Sequence, residues 1–161
     1  MQIFDYQFTV NAPQAAVADF HFNASVKTLT PFPIIVQIHE FEPLAEGSLA
    51  DFTLWFGPFP VHWRALHSNV NQTGFTDTQL QGPLKQWQHS HRFTAVDNKT
   101  TRVSEHIEYE YKPGLAGLIN RLMYSAPALT MLFTARKLIT RRHVAKLINN
   151  RNAHHSDRTV G

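Results

Sequence analysis

Val61-His62-Trp63-Arg64-Ala65-Leu66-His67, Trp87-Gln88-His89-Ser90-His91-Arg92-Phe93 and Val103-Ser104-Glu105-His106-Ile107-Glu108-Tyr109 alternate with a period of two. That is the period of strands whose successive side chains point to opposite faces. One face then carries Trp63, Ala65 and His67; Trp87, His89, His91 and Phe93; Val103, Glu105, Ile107 and Tyr109. The inward face of an antiparallel sheet is normally apolar, whereas this one is aromatic and ionisable. A buried His or Glu needs a partner, so the pattern points to a polar network or to a ligand. The opposite face offers His62, Arg64 and Leu66 with Gln88, Ser90 and Arg92, and its lower apolar content makes it the expected outer one.

Outward from this block the pattern continues. Phe4, Tyr6, Phe8 and Val10 alternate in an opening strand, and a helix follows with Asn11 as its expected cap, Pro13 in its first turn and Ala16, Val17 and Phe20 on its inner stripe. A second short helical piece begins near Ser25 and is stopped by Pro31 and Pro33. Six strands are predicted at about 34 to 42, 48 to 56, 61 to 71, 75 to 82, 86 to 97 and 102 to 111, divided by Gly and Asx turn chemistry. Short connections between consecutive strands predict an antiparallel meander. Beyond Lys112-Pro113-Gly114 the pattern becomes helical to about Asn150. Pro127 is expected to split it, and Ala128, Met131, Leu132, Ala135, Leu138 and Ile139 form the expected sheet-facing stripe. Val144, Leu147 and Ile148 point elsewhere on that reading, so the last turns would overhang the body.

The chain has 161 residues, 43% of them hydrophobic, enough for one domain with its own core. Without cysteine, a metal would need His and carboxylate ligands. The segment Met1 to Tyr6 carries neither a basic leader nor an uninterrupted apolar run, so the expectation is a cytoplasmic protein. Charge is uneven: residues 1–120 sum to −4 and residues 121–161 to +7. Such a basic end reads as a solvated helix face and a frayed terminus, with residues 151–161 expected to be disordered. Its alternative role is peripheral contact between Arg136 to Arg151 and an anionic membrane. No nucleic-acid-binding motif accompanies the charge, and no nucleic-acid partner is expected.

The order strand, two short helices, six-stranded meander and one long C-terminal helix resembles the START-like helix-grip superfamily, also called SRPBCC, over residues 1–150. Phe8-Thr-Val-Asn-Ala-Pro13 with Val17 and Phe20, Leu29-Thr-Pro31, Gly74-Phe-Thr-Asp77 with Gln79, and Gly82-Pro83 leading into Trp87-Gln-His89-Ser-His91-Arg-Phe93 are similar to a bacterial cyclase/dehydrase-like branch with no assigned reaction. The resemblance implies an α+β fold in which a curved antiparallel sheet of about seven strands wraps a long C-terminal helix. It also implies a cavity between them for lipids, polyketides, sterols, quinones or other mostly apolar molecules, bound, transported or cyclised. Fold alone does not choose among these.

Within this frame Trp63, Trp87, Phe93 and Tyr109 are expected to make apolar contacts with a ligand, and His67, Gln79, His89, His91 and Glu105 to meet its polar end. The same His89, His91 and Glu105 are the candidate general acid-base group of a cyclase or dehydratase, with Tyr109, Gln79 or a second histidine as donor to a developing enolate oxygen. They are also a loose candidate metal set. The bland alternative is that Glu105 accepts hydrogen bonds from these histidines in a satisfied network. Asp77 and Gln79 share a strand face and on one reading extend the polar group, though Asp77, near a turn, reads first as structural. No phosphate loop, nucleophile elbow or dinucleotide fingerprint is present, and no cofactor is expected.

Overall fold

In a computed structural model, which describes residues 1–157, the alternating opening is strand β1 (Gln2–Val10), followed by α1 (Gln14–Asn23) and the one-turn α2 (Val26–Leu29). The meander comprises β2 (Ile35–Phe41), β3 (Leu49–Phe56), β4 (Phe59–Asn71), β5 (Gly74–Gln81), β6 (Gln86–Asp97) and β7 (Thr100–Glu110). Helices α3 (Gly114–Met123) and α4 (Ala126–Asp157) complete it. All seven strands form one curved antiparallel sheet in the order β1-β7-β6-β5-β4-β3-β2, so β1 closes the meander by pairing with its last strand. This is the expected α+β helix-grip architecture.

Local chemistry departs from the sequence reading in two places. Asn11 does not cap α1: Pro13 occupies that position in extended conformation, and its carbonyl accepts from the amides of Ala16 and Val17. The second departure concerns α4. The helical run is split ahead of Pro127, as expected, but the stripe buried against the sheet is Leu129, Phe133, Thr140 and Val144. Met131 and Leu138, expected inside, are 74% and 54% exposed. Residues 129, 133, 136, 140 and 144 fall in one arc of a 3.6-residue helix, and that arc includes Arg136. Two polar residues in the buried row, Thr140 and Arg136, hid it among competing apolar positions. Val144, expected to point away, is fully buried in a cluster with Val17, Phe20 and Phe93. The disordered tail expected for residues 151–161 falls outside the described residues from 158 onward; α4 is helical to Asp157.

Two apolar clusters fill the space between sheet and helices. One gathers Trp63, Trp87, Ile107 and Tyr109 with Tyr124, Leu129 and Phe133; the other gathers Phe75, Phe93 and Val103 with α1 and Val144. Tyr6 Oη and Thr134 Oγ1, 3.0 Å apart, and the Arg141 Nε–H bond to the Thr9 carbonyl fasten α4 to β1.

Candidate functional site

The strand registers bring the ionisable residues of the inner face together at the junction of the two clusters. His67 on β4 pairs with Asp77 on β5, Asp77 with His89 on β6, and His91 with Glu105 on β7, which in turn faces Tyr6 on β1. Gly74 begins β5 with a positive φ and lies so close to the His91 carbonyl that a Cβ there would overlap it. Only glycine allows this approach of β5 to β6 beside the cluster.

His89 and Glu105 are 3% and 4% exposed, so their charges are decided by one another. His89 Nε2–H donates to Glu105 Oε2 at 2.8 Å, and His91 Nε2–H donates to Asp77 Oδ2 at 3.0 Å. His91 Nδ1 lies 2.7 Å from Glu105 Oε2 but off the hydrogen-bond axis. His67 Nε2 lies 3.1 Å from Asp77 Oδ1, while its Nδ1 is 2.9 Å from Ser48 Oγ. Stacking of His91 on Phe75, with ring centroids 4.2 Å apart, and an edge-on Phe133 against His89 at 5.3 Å wall the cluster with aromatic rings.

The two histidines separate electrostatically. Burial, aided by repulsion from His91, lowers the pKa of His89 to about 4, against the pull of Glu105 and Asp77. For His91 burial acts downward too, but the Glu105 charge 2.7 Å away and the bond to Asp77 outweigh it and raise the value to about 9. Burial pushes both carboxyls upward, yet Asp77 is held well below the carboxylate range by His67 and His91, and Glu105 by His91 and His89. At neutral pH His91 is therefore a cation between two carboxylates and His89 a neutral donor. Arg136, near Glu105 and Asp77 from the α4 side, supplies the second positive charge. Two anions and two cations balance, the condition under which buried charge is tolerable.

All the residues expected at the site lie on this inner face, but not all in one group. His67, His89, His91 and Glu105 meet around Asp77. Trp63, Trp87 and Tyr109 form an aromatic wall to one side, with Trp63 and Trp87 edge to face at 5.5 Å and Trp87 6.0 Å from Tyr109. Phe93 lies on the other side, 4.7 Å from the His21 ring. Gln79 is set apart, its Nε2–H donating to the Leu84 carbonyl at 3.0 Å while its buried Oε1 has no partner.

Three participants were not in the expected set. Asp77 is the hub of the group rather than a turn residue. His21 of α1, buried and lowered by desolvation to about 4, donates Nδ1–H to the Val17 carbonyl with its ring 6.4 Å from that of His91. Its place beside Val17 and Phe20 at helical spacing was the available sign. Arg136 stands with its guanidinium 5.4 Å from the Phe133 ring centre, and its buried Nε has no hydrogen-bond partner.

Asp77, His89 and His91 present ligand-capable atoms all within 4.8 Å of one another, so the carboxylate best placed for a metal is Asp77 rather than Glu105. A second two-histidine, one-carboxylate set, His39, Asp51 and His62, is on the more exposed outer face. Two surface depressions, of about 340 and 280 Å3, lie near Thr9, Arg102 and Arg141 and near Pro60, Gln81 and Pro83. Neither is lined by the inner-face cluster, over which Phe133 packs directly.

No family model matches the chain, and no curated protein matches it in sequence. Solved structures do. Zhui aromatase/cyclase from Streptomyces sp. R1128 superposes with a TM-score of 0.74 at 14% identity, covering 91% of this chain and 95% of that one. A START superfamily protein from Mycobacterium smegmatis gives 0.67 at 9% identity over 90% and 98% of the two chains. Norcoclaurine synthase from Thalictrum flavum, solved with dopamine and hydroxybenzaldehyde, gives 0.59 at 15% over 86% of each. Identities this low speak for architecture and leave chemistry open. Sheet order, the long closing helix and these superpositions together identify the chain as START-like (SRPBCC-like) in fold.

Proposed function

We propose that this protein binds, and by the same means carries, a small amphipathic molecule such as a lipid, polyketide or quinone between the sheet and α4. Its apolar body would lie on Trp63, Trp87 and Tyr109, with Phe93 closing the far side of the polar group. Its polar end would meet His67, Gln79, His89, His91 and Glu105, with Asp77 and Arg136 added to that group. The observation that carries the proposal is the buried, partnerless Nε of Arg136 beside a charge-balanced cluster. An unmet buried donor is costly, and a ligand oxygen would satisfy it. This favours ligands that end in a carbonyl or carboxylate. Because Phe133 and Leu129 pack on the aromatic wall, entry requires α4 to move outward from the sheet.

Native mass spectrometry of freshly purified protein, followed by extraction, tests this. The expected result is a retained apolar species that is lost in Arg136→Met while the fold persists. A bare mass, together with no binding of long-chain fatty acids or aromatic ketones by wild type, would overturn the proposal.

A second reading, a polyketide cyclase/dehydratase-like enzyme, is favoured by the opposed shifts of His89 and His91. A neutral base next to a protonated acid is the pairing an aldol closure and dehydration need. Turnover would then follow a bell-shaped pH profile that loses one limb in His89→Gln and the other in His91→Gln. Stoichiometric binding with unchanged ligand mass would count against it.

A further inference from the structure

Helix α3 is mounted with its apolar face outward. Leu115, Leu118, Ile119 and Leu122 follow the i, i+3, i+4, i+7 spacing that normally marks a core-facing stripe, yet they are 82%, 63%, 59% and 77% exposed. The buried side of the helix is Gly117 and Asn120. This orientation is built in. A Cβ at Gly117 would overlap the Lys112 carbonyl, and Asn120 Oδ1 accepts from the Lys112 amide, so the small and polar side of α3 is what fits against the preceding turn. Rotating the helix to bury its leucines would remove both contacts.

We infer that α3 is an interfacial element that lays its aliphatic face into the surface of an anionic lipid bilayer. Charge argues for that occupant. From residue 111 to residue 156 the sequence holds seven Lys or Arg besides the inward-facing Arg136, and no Asp or Glu. Arg121, exposed and 5.2 Å from the Tyr111 ring centre, stands at the edge of the apolar arc, where a basic side chain reaches lipid phosphate while the leucines enter the acyl boundary. A second copy of the chain fits less well. Ten residues make a helix about 15 Å long and about 10 Å wide, small against the roughly 800 Å2 per partner that a stable interface buries. No helix among the described residues is long and apolar enough to cross a membrane, so the contact is a surface one for these elements. The inference stands apart from the ligand proposal, since none of its residues touches the Asp77 cluster.

Flotation of the full chain with phosphatidylcholine vesicles, with and without phosphatidylglycerol, tests it. Wild type is expected to float with the anionic vesicles and to be partly released by salt. The double variant Leu118→Gln/Leu122→Gln is expected to lose about a hundredfold in partitioning, since each buried leucine contributes about one factor of ten or more. Both positions are exposed, so melting temperature should be unchanged. Failure of wild type to float, equal flotation of the variant, or a wild-type dimer that the variant dissolves would each overturn the inference. None of these outcomes would alter retention of a ligand by wild type or its loss in Arg136→Met.

Discussion

Glu105 accepts from His89 and pairs with His91, and although burial lowers both histidines, the carboxylates around His91 outweigh it there and those around His89 do not, so the two end on opposite sides of the ordinary value. The pH dependence of stability follows. His91 has a folded pKa of about 9 against an ordinary 6.5, so its contribution is complete below 6.5 and is lost as pH rises toward 9. His89 and His21 have folded values of about 4, so the unfolded chain binds more protons below 6.5 and stability falls as pH drops from 6.5 toward 4. Asp77 and Glu105, both depressed, add further loss below their ordinary values. Thermal melts across pH should therefore peak near 6.5, and His91→Gln should flatten the alkaline limb while leaving an acid one. Glu105→Gln removes one charge from a buried pair and should cost about 3–5 kcal/mol in urea unfolding at neutral pH. A cost below about 1 kcal/mol would mean that water reaches the cluster and that its charges are not balanced by one another.

At the scale of elements, the strands were legible and the helix faces were not. Alternation placed His89, His91, Glu105, Trp63 and Trp87 on one face because a strand has two faces and one of them was plainly greasier. Asp77, which the sequence offered as an extension of the polar group but placed second to a structural role, owes its central position to register, opposite His67 on one side and His89 on the other, and register is a property of neighbouring strands. Arg136 and His21 come from helices at opposite ends of the chain, and a helix can present several plausible stripes. On α4, Met131 and Leu138 competed with Leu129 and Phe133, and only docking against β1 and α1 selects between them. That selection is measurable. Phe133→Ala should cost about 3–5 kcal/mol by emptying the space over His89. Met131→Gln, an equally drastic loss of hydrophobicity on paper, should stay within about 0.5 kcal/mol. Similar losses from both would place α4 in a different rotation.

For the molecule as a whole, the question is whether the balanced cluster serves folding alone or also meets a ligand, and proton linkage separates the two. A ligand carboxylate placed at Arg136 adds a negative charge near His89 and His21, whose low values leave room to rise, and each would take up protons as it rose. Binding of a fatty acid should then be accompanied by net proton uptake between about pH 5 and 6.5, above the range in which the ligand's own carboxyl titrates, and should tighten as pH falls through that window. It should show no uptake near pH 7.5, where His91 is already charged and the other two remain neutral. Titration calorimetry in buffers of different ionisation enthalpy reads the proton count directly. His89→Gln should reduce the uptake, and a neutral ketone of the same chain length should show much less of it, because a carbonyl dipole shifts neighbouring titrations far less than a full charge. Uptake that is identical for acid and ketone would place the ligand's polar end away from Arg136 and leave the cluster a purely structural centre.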